Sequence, residues 1–138
     1  MMAHRTARAD ARRGSTLVES AVVATGFVIF LAGVMEFGRI GFAYNEVSFA
    51  AQRAARFAAV RGSTSGHPAS STDVQNEALV YSVALDTTKL TVTTTWTPDN
   101  KPGSSVKVKV AYNFVTPLVP ISKATIALQA TAQEVITQ

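Results

Sequence analysis

Glu19 is the residue whose position most needs a chemical reason. It lies in LVESAVVATGFVIFLAGVM, residues 17–35, a run otherwise apolar except for small hydroxyl side chains. A carboxylate at the centre of a bilayer costs about 2.5 kcal/mol or more, so a functional role is the default reading. Gly14 stands five residues earlier, directly after Arg12 and Arg13. A cut after Gly14 would give Ser15 a new α-amino group. Glu19 would then lie about 6 Å along a helix axis from that cation, one turn away. The two charges could pair within or between subunits. The simpler alternative leaves Glu19 at the headgroup level, because it is only three residues into the run.

Other chemistry is scarce. There is no cysteine, which removes a thiolate metal site, a thiol nucleophile and a disulfide scaffold. The two histidines, His4 and His67, are far apart in sequence. No catalytic, metal-binding or cofactor-binding residues are expected, and no enzyme activity. Glu36 and Arg39, at i,i+3, can pair on a helix surface or act in assembly. Arg53, Arg56 and Arg61 read as the solvated or partner-facing side of an amphipathic helix in preference to an anion site. Phe42 and Phe49 are seven residues apart and fall among Asn45, Gln52, Arg53 and Arg56. Phe49 is also four residues before Arg53, close enough for a cation–π contact. Two aromatics in register suggest a surface that docks on a neighbouring subunit's helix. The alternative is that the loop at 62–72 or a short second helix folds over them.

Charge is unevenly distributed. The formal net charge is +4, of which Arg5, Arg8, Arg12 and Arg13 against Asp10 supply +3 within the first 14 residues. The rest of the chain is nearly neutral, so a nucleic-acid surface is not expected. Basic residues before an apolar run orient the N-terminus toward the cytoplasm and the remainder outside. The 19 residues of 17–35 span roughly 29 Å as a helix, the thickness of a bilayer core. A cleaved signal peptide is the competing reading, but no A-x-A-like site follows the run.

The elements follow from periodicity. No proline interrupts Thr16 to Arg61, so the spanning helix is expected to continue past the membrane. At 100° per residue Ala43, Val47, Ala50, Ala51, Ala54 and Ala58 share one face. Such a face suits close approach of a sheet. Gly62 is a candidate C′ residue, and GSTSGHPASST (62–72) a loop. Thr72 or Asp73 is expected to cap a helix over roughly 73–84, with Val74, Ala78, Leu79 and Val83 inward. Period-two alternation predicts antiparallel strands at 89–96, 105–114 and 125–133, with PDNKPG as the first hairpin loop. TPLVP breaks the chain before the third strand. Lys107 and Lys109 face outward, the threonines of TTKLTVTTTWT serve β-propensity, and Trp96 belongs to the core. The fold class is α+β, with four segments: a basic leader (1–14), a transmembrane helix (15–35), its amphipathic continuation (36–61) and an outer α/β part (62–138).

These motifs resemble a known family. R-R-G-S-T-L-V-E is similar to the processing site of type IV prepilins, with a basic leader, a glycine before the cut and glutamate at the fifth mature position. EFGR (36–39), AYN (43–45) and AQRAAR (51–56) resemble the TadE-like minor pilins, or pseudopilins, of the tight-adherence (Flp) pilus. VKVKVAYNFVTPLVP and ATIALQATAQ resemble the end of that family's domain. Ser15, where major pilins commonly have Phe, and Ser20, where Flp major pilins have Tyr, both depart from the major-pilin pattern. Ser15 and EFGR also disfavour a type II secretion pseudopilin.

The resemblance implies a pilin-like fold. It implies processing by a membrane prepilin peptidase between Gly14 and Ser15, and assembly with other pilins and pilus-assembly membrane proteins. The pilus would serve surface attachment and biofilm formation. The expected location is the bacterial inner membrane, crossed once, with the outer domain extracytoplasmic or in the extracellular pilus. The competing expectation is an unprocessed, signal-anchored envelope protein whose outer domain binds a ligand or partner.

Overall fold

The computed structural model describes residues 3–116 and 125–138, with side chains from Ser15 onward. It contains two helices and one sheet: α1 (Ala3–Ala59), α2 (Ser71–Val80), a single 3-10 turn (Thr87–Lys89), then β1 (Leu90–Thr97), β2 (Ser105–Val115) and β3 (Thr125–Val135). The chain forms two compact units, Met1–Phe37 and Gly38–Gln138. α1 supplies the described part of the first and begins the second. The fold is α+β, as the periodicity predicts.

The described part of the first unit is helix. Leu17, Val18, Val22, Val23, Phe27, Val28, Ile29, Phe30 and Met35 are all exposed, and none of the most apolar stretch is buried within the protein. In water such a surface is unfavourable on every side. A helix apolar all round requires an apolar surrounding, and Ser15–Ala59 is long and apolar enough to contain a membrane span.

The second unit makes its own core. From α1 it takes Ala43, Val47, Ala50, Ala51, Ala54, Ala55 and Ala58, all buried, which includes every residue of the alanine face expected from the sequence. The sheet has the order β1-β2-β3 and is antiparallel throughout. Central β2 presents Val106, Val108, Val110, Tyr112 and Phe114 inward and Lys107, Lys109 and Asn113 outward. Its pairing with β3 runs without a bulge from Ser105↔Val135 to Val115↔Thr125. The largest fully buried side chains are Ile136 and five valines, so small groups fill this core.

Several local expectations are corrected. α2 starts earlier than predicted. Ser70, not Thr72 or Asp73, is its N-cap, and Asp73 takes the N3 position of a capping box. The Asp73 N–H donates to Ser70 Oγ at 3.2 Å, and the Ser70 N–H donates to Asp73 Oδ2 at 2.9 Å. The helix also ends at Val80. Beyond it the Ser82 N–H donates to the Leu79 carbonyl and the Leu85 N–H to the Ser82 carbonyl, so the chain coils through tight turns. Val83, expected inward, is 88% exposed, and Leu85 is buried instead. Gly62 is not a left-handed C′ residue, since Gly103 is the positive-φ glycine among the described residues. A Cβ at Gly62 would collide with the Gln138 carbonyl oxygen and the Ile136 side chain, so its role is close approach of two chain segments. β3 extends to Val135, and Ile136, just beyond it, is almost wholly buried. The expected TPLVP break (116–120) lies, apart from Thr116, outside the described residues.

Three segments close the far end of the second unit. The Thr137 N–H donates to the Ala59 carbonyl at 2.9 Å, satisfying one of the carbonyls that a helix C-terminus leaves open. The Ile136 N–H donates to Ser104 and the Gly103 N–H to Ile136. The Ser63 N–H donates to Asn100 in the β1–β2 loop. In that loop Asp99 accepts from the Lys101 N–H at 3.1 Å and from the Ser104 hydroxyl at 2.7 Å.

Candidate functional site

α1 runs through Gly14 and Ser15 without a break. The side chains of Arg12 and Arg13 lie outside the described set. Glu19 is exposed on the helix surface. With Thr16, Ser20, Val23, Ala24 and Phe27 it lines one shallow face, following the i, i+3, i+4 spacing of a helix. This face combines a carboxylate, two hydroxyls, an alanine and apolar neighbours. It offers a site at which a cation could meet Glu19 within an otherwise apolar surface.

Glu36 closes the first unit and is only 8% exposed, the one charged side chain buried among the described residues. Arg39, in the second unit, lays its guanidinium 5.4 Å from the centroid of the Phe114 ring on β2. Phe42 remains 54% exposed and Phe49 44% exposed. Phe49 meets Tyr81 edge-on, with centroids 5.8 Å apart. Arg53 sits against both rings, at 5.2 Å from Phe49 and 5.1 Å from Tyr81. The contact between Phe49 and Arg53 is the one that their spacing predicts. The part of Tyr81 was not legible, because the sequence reads residue 81 as a continuing helix position.

The remaining basic residues are also placed. Arg61 stacks on Phe57 at 4.3 Å, and Arg56 approaches Glu134 at 3.9 Å with both side chains largely exposed. An exposed pair at that distance adds little stability. Three carboxylates of the second unit are held below the usual carboxylate range by hydrogen bonds to their charged forms. For Asp73 the first cause is the Ser70 hydroxyl, for Asp86 that of Thr88, and for Asp99 that of Ser104. All three organise turns or caps. Among the described residues no three His, Asp or Glu side chains are grouped as metal ligands.

The candidate residues thus fall in two places. Gly14, Ser15, Glu19 and Glu36 belong to the first unit, and Arg39, Phe42 and Phe49 to the second. All of them lie on one helix, and a family model of that helix matches the chain: the TadE-like protein family, over residues 14–56. Residues 14–56 match that family's model, which is 43 of the 138 residues. The match opens on Gly14 and covers every candidate residue, while the sheet lies beyond it. No curated protein and no solved structure matches the chain. At the family level the TadE-like match supports involvement in a tight-adherence pilus, in association with a membrane and other pilus components.

Proposed function

We propose that the chain is a minor pilin, cut between Gly14 and Ser15 by a prepilin peptidase and built into, or priming, a tight-adherence pilus that attaches cells to surfaces. It is a peptidase substrate and not itself an enzyme. The observation that carries the reading is the division of the TadE-like helix, whose first part is exposed on all sides and whose second part is buried along one alanine face. A protein of this design is anchored by one half of α1 and carries a folded unit on the other half. The N-terminus lies on the cytoplasmic side of the inner membrane, and the sheet-bearing unit outside.

Each candidate residue has a role in this reading. Gly14 leaves room for a peptidase to grip extended backbone, which requires α1 to unwind locally at the cut. Glu19 neutralises the α-amino group exposed at Ser15, in the same or a neighbouring subunit. Glu36 and Arg39 act in assembly where the span ends. Phe42 and Phe49 form a docking strip for a neighbouring subunit's helix.

The test is N-terminal sequencing and intact mass of the protein from cells with an active prepilin peptidase, alongside pilus co-purification. A mature chain beginning at Ser15 is expected. Gly14→Phe blocks the cut, whereas Glu19→Gln is cut yet fails to enter pili. A chain that still begins at Met1 or Met2 sinks the processing reading and favours the unprocessed anchor. Normal assembly of Glu19→Gln sinks the charge-pairing role.

A further inference from the structure

We propose that the second half of α1 docks on the second half of another copy's α1, shifted by seven residues in the same sense, with Glu46 of one copy entering a cationic hollow on the other. It rests on the docking strip proposed above, and gives that strip an occupant and a register.

The hollow has the form of a helix's receiving site for a single side chain. Phe49, Gln52, Arg53 and Arg56 line it, a space of about 90 Å³ on the surface of α1. Their spacing is i, i+3, i+4 and i+7, the four positions that receive one projecting side chain when two helices interlock. Two of the four are guanidiniums and one is a carboxamide, so the fitting occupant is a carboxylate and not an apolar group. Arg53 is already held, its guanidinium 5.2 Å from the Phe49 ring and 5.1 Å from that of Tyr81. A guanidinium held against two rings loses little further freedom when it binds. Within the same copy Glu134 approaches Arg56 at 3.9 Å, with the Arg56 side chain still 71% exposed.

The chain itself carries a matching side chain. Glu46 is the one acidic residue of α1 from Gly38 onward. It is half-buried and has no hydrogen bond or ion pair among the described residues. The other carboxylates of the second unit fit less well. Asp73, Asp86 and Asp99 are bound to the hydroxyls of Ser70, Thr88 and Ser104, and Glu134 lies beside Arg56. Glu77 has Asp73 four residues before it, which would set a second negative charge against the Phe49 ring. Glu46 has Phe42 at that position.

This last spacing fixes the register. Phe42 precedes Glu46 by four residues, as Phe49 precedes Arg53. One shift of seven residues in the same sense therefore lays ring on ring and carboxylate on guanidinium together. At 100° per residue the four positions fall within about 60° of one another, so one helix face presents them all. Both rings are exposed. Because the entering and the receiving groups are different residues, each copy keeps one of them open after docking, and the contact can repeat.

With no native cysteine in the chain, engineered pairs report the register directly. Full-length copies carrying Phe42→Cys and Phe49→Cys, each with its own affinity tag, are co-expressed in cells that lack other pilus components. Their membranes are oxidised with copper phenanthroline. Both positions are exposed, and melting followed by Trp96 fluorescence checks that each variant is folded. A disulfide between the two different copies is expected, in excess over either copy with itself. Glu46→Arg in the Phe42→Cys copy, or Arg53→Glu in the Phe49→Cys copy, is expected to lower it about fivefold, the factor for an ion pair worth about 1 kcal/mol. Both reversals together are expected to restore it. An excess of Phe49→Cys dimers means helices of opposite sense and overturns the proposal. So does the absence of the mixed disulfide, or a mixed disulfide that neither reversal changes. Co-purification with pili, in cells that make them, tests the minor-pilin reading separately. Entry into pili without the mixed disulfide leaves that reading standing and removes this docking. The mixed disulfide without entry into pili removes the reading and leaves the docking.

Discussion

The two halves of α1 meet the same demand, shielding apolar side chains from water, in opposite ways. In residues 17–35 the large apolar side chains face every direction and are exposed. In residues 43–59 the inward side chains are almost all alanine, face one direction and are covered by the protein's own sheet. The first half depends on its surroundings and needs only bulk apolarity, because lipid conforms to any shape. The second depends on shape, because a packed interior has fixed volume and no spare room. Mutational tolerance should divide accordingly, with small steric changes felt only in the second half.

The largest effect is expected where the second unit closes. Ile136→Ala removes the bulkiest fully buried side chain and should cost about 2–5 kcal/mol. Urea unfolding of the full chain in detergent micelles, followed by the fluorescence of its single tryptophan, Trp96, measures it. A loss under 1 kcal/mol would mean that the core does not depend on this closure. Next comes a matched pair. Ala54→Leu overpacks the buried face and should destabilise by about 1–3 kcal/mol, while Ala24→Leu in the exposed half should leave the same unfolding curve unmoved. Equal effects would erase the distinction between the halves.

The smallest effect is expected from acid. Asp73, Asp86 and Asp99 have folded values below their ordinary ones. Their contribution is therefore complete above the unfolded carboxylate value, about 3.9, and is lost as pH falls through the lower folded values. Melting of the second unit should stay flat down to about pH 4 and then decline. Asp99→Asn, which keeps the shape of the loop but not the charge, should flatten part of the decline. A decline that begins near neutrality would point to other groups.

The alternations that define the strands were legible because one face of each is buried, which imposes a period of two on the side chains. The alanine face was legible for the same reason at a period of 3.6. What the sequence hid was set by contacts between distant segments. Nothing local distinguishes Val83 from Leu85, yet only Leu85 reaches the core. Gly62 looks like a helix stop, and its actual constraint comes from Ile136 and Gln138. Of the candidate site, Glu19 stood out because a carboxylate is costly within an apolar run, and the Phe49–Arg53 contact followed from helical spacing. Tyr81 completes that cluster through a loop whose path depends on where α2 ends, which no residue near 81 announces.

The bond from Thr137 to Ala59 joins positions 78 apart in the chain. Its consequence lies in the order of events as the protein is made. α1 can form as soon as its residues emerge, but its last turn stays uncapped and its alanine face uncovered until the final strand arrives. Until then the second half of α1 is a half-finished surface. A pause in that interval would leave the second half of α1 as a sticky helix. Proteases acting in that interval would meet cleavable chain until residues 136–138 dock, and folded protein afterwards.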